Sequence, residues 1–189
     1  MMKTRITIIG GGFAGLNLIK HLAGKEEFDV TLVDVNNYHL FPPLLYQVAT
    51  GFLDVSNIAY PFRKFFHGKE NVRFRLGKLQ KVMREDNKVL LSTGELAYDH
   101  LVLATGTEPN YFGIENIRRA ALPMKTADDA IEIRNYMLQK MEAVTIEPDE
   151  MRRKKLFSVV IAGGGPTGVE IAACWQRCAR ESCTGITLN

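Results

Sequence analysis

Residues 5–24, RITIIGGGFAGLNLIKHLAG, set a β-branched run from Ile6 to Ile9 directly against Gly10-x-Gly12-x-x-Gly15, followed by apolar residues at helical spacing. In such a strand–turn–helix unit Gly10 permits the turn and Gly12 lets backbone approach a pyrophosphate with no Cβ in the way. Gly15 lets the helix pack close to the strand. The helix N-terminus, with unpaired N–H groups and a partial positive charge, then faces the phosphates. Asp34 closes a second apolar run, DVTLVD, nineteen positions after Gly15. A carboxylate there accepts hydrogen bonds from ribose hydroxyls and repels a 2′-phosphate; its plainer alternative is a strand-end turn residue. Residues 156–173, LFSVVIAGGGPTGVEIAA, repeat the pattern with Gly163-x-Gly165-x-x-Gly168. Two such sites imply two nucleotides, and hydride transfer from a nicotinamide to a flavin is the economical chemistry for that pair.

The elements that must position these residues follow from the hydrophobic pattern. Residues 72–106 alternate apolar and polar positions between turn signals at REDN and STGE and read as a small antiparallel meander. The last run of that stretch, HLVLATG, is continuously apolar, as a buried parallel strand is, and stops at Thr105 and Gly106. That ATG is either a plain strand stop or the strand end that returns beside the first glycine turn in two-dinucleotide flavoproteins. Residues 1 to about 110 are expected to form a parallel sheet with flanking helices and a three-stranded meander. KTADDAIEIRNYMLQKMEAV predicts a helix N-capped by Thr126, with Asp128 and Asp129 in its first turn. Its apolar stripe of Ile131, Ile133, Met137, Leu138 and Met141 predicts core packing. A strand is expected over 157–162.

Composition excludes several classes. The formal net charge is +3, and the densest basic run, RRKK at 152–155, reads as a solvated loop, so no nucleic-acid partner is expected. The first residues lack the long apolar stretch of a signal peptide, and no run approaches a membrane span, which predicts a cytosolic chain. Cys174, Cys178 and Cys183 lie together with Trp175 in the last sixteen residues. They offer zinc neither a fourth ligand nor a C-x-x-C pair, so no metal site is expected. With no cysteine before Cys174, the redox pair of disulfide reductases is missing.

Residues 36–51, NNYHLFPPLLYQVATG, place two prolines in an aromatic and aliphatic cluster where such sheets bind ligands. Core packing alone accounts for Leu40, Leu44 and Leu45. The stretch as a whole resembles the matching segment of type II NADH dehydrogenases, single-subunit flavoproteins that pass electrons from NADH through FAD to a quinone. The resemblance runs from about residue 5 to 173 and includes GGGPTGVEIAA. It implies an α/β protein with two Rossmann-like dinucleotide-binding folds, a three-layer parallel sheet with an antiparallel meander, the second fold truncated. Residues 1–118 would be the FAD-binding domain, 119–173 the linker helix and the start of the NAD(P)H-binding domain, and 174–189 an atypical tail.

The same resemblance implies that Gly10, Gly12, Phe13, Ala14, Gly15, Asp34, Asn36, Pro43, Gln47, Thr105 and Gly106 contact FAD. On the NADH side it implies Gly163, Gly165, Pro166, Thr167 and Gly168. Glu170, placed in the first turn of the second nucleotide helix, is by position alone either a dipole-favoured helix acid or a functional carboxylate. The resemblance implies a carboxylate near both rings that couples the hydride and quinone steps. Pro42 departs from the family, which usually has Gln there. Implied partners are NADH, a quinone and, through later segments, the cytoplasmic face of the inner membrane. Counting nineteen beyond Gly168 reaches Thr187, so NADH and NADPH are not distinguished.

The tail lacks a clean helical period. One back-translation from Ala173, read from the last base of that codon, gives MLAEMRERKLHGNYPE, an amphipathic helix. Residues 174–189 are therefore expected to be out of frame. Two alternatives stay open: a non-catalytic FAD-binding remnant, and another FAD/NAD(P)H oxidoreductase such as a ferredoxin-type reductase.

Overall fold

The structure, a computed structural model, describes residues 3–183, with side-chain burial through residue 177. The side chains of Cys178 and Cys183, and residues 184–189 of the 174–189 tail expected to be out of frame, therefore lie outside the described residues. In chain order the first elements are β1 (Thr4–Ile9), α1 (Phe13–Leu22), β2 (Phe28–Asp34), β3 (Tyr38–Leu40), α2 (Leu45–Ala49), β4 (Ala59–Pro61) and α3 (Phe62–Phe65). Then come β5 (Val72–Leu76), β6 (Leu79–Met83), β7 (Lys88–Leu91), β8 (Gly94–Ala97) and β9 (His100–Leu103). Four helices follow: α4 (Glu115–Ala120), α5 (Ala127–Ile146), α6 (Glu150–Phe157) and α7 (Pro166–Cys183). The chain divides into two compact units, residues 1–40 with 59–107, and residues 41–58 with 108–189.

The first unit is built on a four-stranded parallel sheet of order β5-β2-β1-β9. β1 and β2 run in register from Thr4↔Phe28 to Ile9↔Val33, so their carboxyl ends emerge together. Ile6 to Ile9 of β1 are buried in succession, Thr7 included, because both faces of the sheet are covered. Ile8 and Leu32 pack with Leu16 and Ile19 of α1 and with Phe62, Phe66 and Phe74. Ile9 and Val33 pack the opposite way, with Val89, Leu91 and Tyr98 of the meander. The three layers are helix, parallel sheet and the antiparallel sheet β6-β7-β8.

Buried Asn71 closes the far end of α1. Its side-chain N–H₂ donates to Leu22 O and Lys25 O, and its Oδ1 accepts from Gly24 N–H at 2.8 Å. These bonds meet carbonyls that a helix end otherwise leaves unpaired.

The expected meander is present, but VRFRL is not part of it. As β5 it extends the parallel sheet, paired from Val30↔Val72 to Asp34↔Leu76, because Val72 and Phe74 are buried in the helix-side core. The antiparallel pair β3-β4, absent from the sequence reading, joins the two ends of the 41–58 excursion.

Arg5 and Asp99 tie the entry of β1 to that of β9. The Asp99 carboxylate accepts from the Arg5 guanidinium at 2.6 Å and from the Arg5 backbone N–H at 2.7 Å. The guanidinium bond, followed by the backbone bond, lowers the Asp99 carboxyl from 3.8 to about 2. A pKa depressed in the folded state stabilises the fold above about pH 4, and that contribution disappears as pH falls through about 2. Asp99→Asn is expected to abolish this part of the acid-unfolding profile. An NMR titration of Asp99 with its midpoint near 3.8 would show that the pair does not persist in solution.

In the second unit α5 begins as expected. Thr126 Oγ1 accepts from Asp129 N–H and Asp129 Oδ2 accepts from Thr126 N–H at 2.8 Å, a reciprocal capping box. Its buried face differs from the expected stripe: Ala127, Ala130, Ile133 and Val144 are buried while Leu138 is 53% exposed. RRKK is helical, within α6, because Asp149 accepts from Arg152 N–H and Glu150 pairs with Lys154 one turn on. The expected strand at 157–162 does not form. Phe157 ends α6, and residues 158–164 belong to no strand, with Val160 92% exposed. A strand exists only by pairing with a neighbouring strand, and among the described residues none pairs with 158–164.

Candidate functional site: two glycine turns at helix N-termini

The first glycine turn leaves β1 at the carboxyl end of the parallel sheet. Gly10 has φ +107°, and a Cβ there would strike the carbonyl oxygen of Ala104. Ala104 N–H donates to Ile9 O at 2.7 Å, so the ATG strand end does return beside the turn. Thr105 and Gly106 follow it at the surface. Gly15 is buried, and a Cβ on it would meet Gly10 O with Ile8 Cγ2 at 3.4 Å. The close approach is therefore of helix to turn as well as helix to strand. Above Gly12 the space is open, with no atom beyond its own chain neighbours within 4 Å of where a Cβ would sit.

Gly12 is the N-cap of α1, no side chain caps the helix and no acid occupies its first turn. A helix start of this kind presents backbone N–H groups toward an outside acceptor, and the first turn here includes exposed Ala14. This is the donor set a pyrophosphate requires.

Asp34 ends β2 against this turn. Its Oδ2 accepts from Gly11 N–H at 2.6 Å and its Oδ1 from Asn36 N–H at 2.8 Å. The carboxylate is thus fixed in direction while each oxygen keeps a further lone pair for a hydroxyl. In the second unit, Pro43 lies exposed in a short 3₁₀ turn, Pro42–Leu44, and half-buried Gln47 lies in α2 with its amide on Tyr46 Oη at 3.0 Å. Pro42 opens that turn, a position where the missing N–H costs little.

The second glycine turn reproduces the first locally. Gly163 has φ +124°, and a Cβ on Gly168 would meet Gly163 O with Ile161 Cγ2 at 3.4 Å. Val169 N–H donates to Gly165 O at 3.1 Å, as Leu16 N–H does to Gly12 O at 3.0 Å. Pro166 and Thr167 open α7, whose first turn holds no acid. The turn differs in one respect: a Cβ on Gly163 meets nothing, whereas one on Gly10 meets the neighbouring strand. Glu170 is the fifth residue of α7 and not in its first turn, because the helix begins at Pro166. The unpaired N–H groups and the dipole advantage belong to the first turn, so a dipole role does not explain this half-buried carboxylate.

Three residues that hold the first turn escaped the sequence reading. Gly11, the x of G-x-G, is buried, and a Cβ on it would collide with the ring of Phe62. His39 Nδ1 lies 2.9 Å from Gly11 O, and its ring sits edge-on to Phe13 at 5.5 Å. A glycine in the x position was the available signal, since the motif does not itself demand one there.

The profile of the pyridine nucleotide-disulphide oxidoreductase family matches residues 4–187. The chain belongs to this family. Among its oxidoreductase relatives, a type II NADH:quinone oxidoreductase, NdhA, of Mycobacterium tuberculosis is 38% identical over 187 residues, 97% of this chain and 40% of the relative. The NDH2 structure of Plasmodium falciparum in complex with RYL-552 superposes with a TM-score of 0.88 at 30% identity, over 98% of this chain and 39% of the other. The same enzyme in complex with NADH gives 0.86, over 96% and 38%. The chain therefore spans about 40% of the length of these oxidoreductases. Among the described residues no helix is long and apolar enough to cross a membrane.

Proposed function

We propose that this chain forms the FAD-binding part and the opening of the NADH-binding part of a type II NADH:quinone oxidoreductase, in which a hydride passes from NADH to FAD and electrons then pass to a quinone. The observation that carries the reading is the pair of glycine turns, alike in dihedral angle, close contact and hydrogen bond, each opening a helix whose first turn is free of acids. The Mycobacterium and Plasmodium similarities support the choice of NADH and quinone.

In this reading the N–H groups from Gly12 to Gly15 take the FAD pyrophosphate, and Asp34 takes the adenosine ribose. Asn36, Thr105 and Gly106 complete the cradle, and Pro43 and Gln47 contribute from residues 36–51. The turn from Gly163 to Gly168, with Pro166 and Thr167, takes the NADH pyrophosphate, and Glu170 couples the hydride and quinone steps. Residues 1–118 are the FAD-binding domain, and 119–173 the linker helix and the start of the NADH domain. The working place is the cytoplasmic face of the membrane that holds the quinone. FAD supplies an acceptor that takes two electrons and releases them singly or together, while the chain binds and orients.

The 189-residue chain is expected to retain FAD but to show negligible NADH-dependent quinone reduction. Hydride transfer needs the nicotinamide held at about 3–3.5 Å, and a glycine turn without a paired sheet does not hold it. Residues 1–173 grafted into the mycobacterial relative in place of its matching segment should restore turnover. A chimera that binds FAD and NADH yet reduces no quinone would sink the quinone assignment. Robust turnover by the 189-residue chain would overturn the geometric argument.

A further inference from the structure

We propose that His39 is a positioning residue that aims the Gly12 N–H at the dinucleotide pyrophosphate by holding the Gly11 carbonyl; this rests on the FAD reading above. Gly11 is buried, so both its polar backbone atoms need partners. Its N–H donates to Asp34 Oδ2 at 2.6 Å. Its carbonyl lies outside the ladder of α1, whose first bond runs from Leu16 N–H to Gly12 O. Among the described residues His39 meets it, with Nδ1 at 2.9 Å. A carbonyl only accepts, so Nδ1 carries the proton.

The Gly11 carbonyl and the Gly12 N–H belong to one planar trans peptide and point in opposite directions. Drawing the carbonyl toward His39 therefore turns the Gly12 N–H away from it. The ring of Phe62 beneath Gly11 prevents the peptide from sinking.

His39 is itself held in place. It pairs with Tyr60 in the β3-β4 ladder, and Phe62 N–H donates to Asn37 O at 3.0 Å. β3 thus carries the donor that orients the Gly11 peptide, and Phe62, which directly follows β4, carries the ring that supports it. β3 follows shortly after β2, whose end stands beside the turn, and so a histidine twenty-eight positions from Gly11 reaches its carbonyl.

Two substitutions separate the hydrogen bond from packing. His39→Phe keeps a ring against Phe13 and removes the donor; His39→Gln keeps a donor and removes the ring. FAD is titrated by flavin fluorescence into the purified full chain, after its melting curve without flavin has been recorded. His39→Phe is expected to bind FAD about three- to tenfold more weakly, and His39→Gln to recover most of that loss. ADP, which carries the pyrophosphate without a flavin, should weaken in parallel, and adenosine should not change. Wild-type affinity in His39→Phe, or His39→Gln binding more weakly than His39→Phe, overturns the role. If His39→Phe does not fold, a more than tenfold loss in folded His39→Gln overturns it equally. A folded wild-type chain that takes up no FAD instead removes the FAD reading on which the role depends.

Discussion

Asp34→Ala is expected to weaken FAD binding by ~1.5–3 kcal/mol, the range of a charge-assisted hydrogen bond. That corresponds to roughly a ten- to 150-fold rise in Kd. Two effects act in the same direction. The substitution removes the acceptor proposed for the ribose hydroxyls, and it releases the Gly11 and Asn36 N–H groups that the carboxylate now holds. Asp34→Asn separates them, since its amide oxygen can still accept from Gly11 N–H but has lost the charge. It should fall between wild type and the alanine variant. The measurement is flavin fluorescence against FAD concentration. Unchanged affinity in Asp34→Ala would mean that Asp34 only shapes the turn.

Gly15→Ala and Gly12→Ala are expected to fail in opposite ways although they lie three residues apart. At Gly15 the new Cβ meets Gly10 O, backbone that cannot move aside without displacing α1 from the sheet. Overpacking of this kind costs about 1–3 kcal/mol, a large part of a domain's marginal stability of roughly 5–15 kcal/mol. A clear fall in Tm with or without FAD is the expected result. At Gly12 the backbone has φ −71°, which alanine adopts freely, and the added methyl enters open space. The melting curve without FAD should change by less than about 1 kcal/mol, the cost of a poorer N-cap. FAD affinity should nonetheless fall at least about tenfold, because that space is where a pyrophosphate would approach. Full FAD binding by Gly12→Ala would place the phosphates elsewhere. Gly168→Ala should reproduce the Gly15 effect locally, since Gly163 O stands in the same relation to it.

Much of this was written locally in the sequence. Ile6 to Ile9 against Gly10-x-Gly12-x-x-Gly15 specifies strand, turn and helix because each step depends on nearest neighbours: a β-branched run, a positive φ, a missing Cβ, an apolar stripe. The capping box at Thr126 and Asp129 is local in the same sense. Asp34 was legible because the spacing of a βαβ unit brings the end of the second strand beside the turn.

What tertiary structure decided depends on partners far along the chain. VRFRL alternates like a meander strand and joined the parallel sheet because Val72 and Phe74 had a core to fill. The apolar run at 157–162 has a strand's composition and forms none, because pairing is a property of two strands. Glu170 moved out of the first turn by the choice of Pro166 as helix start, a boundary that pattern alone leaves loose. The burial of Gly11 between Asp34, His39 and Phe62 has no local signature beyond the glycine itself. It joins residues 23, 28 and 51 positions away, and only the folded chain brings them onto one peptide.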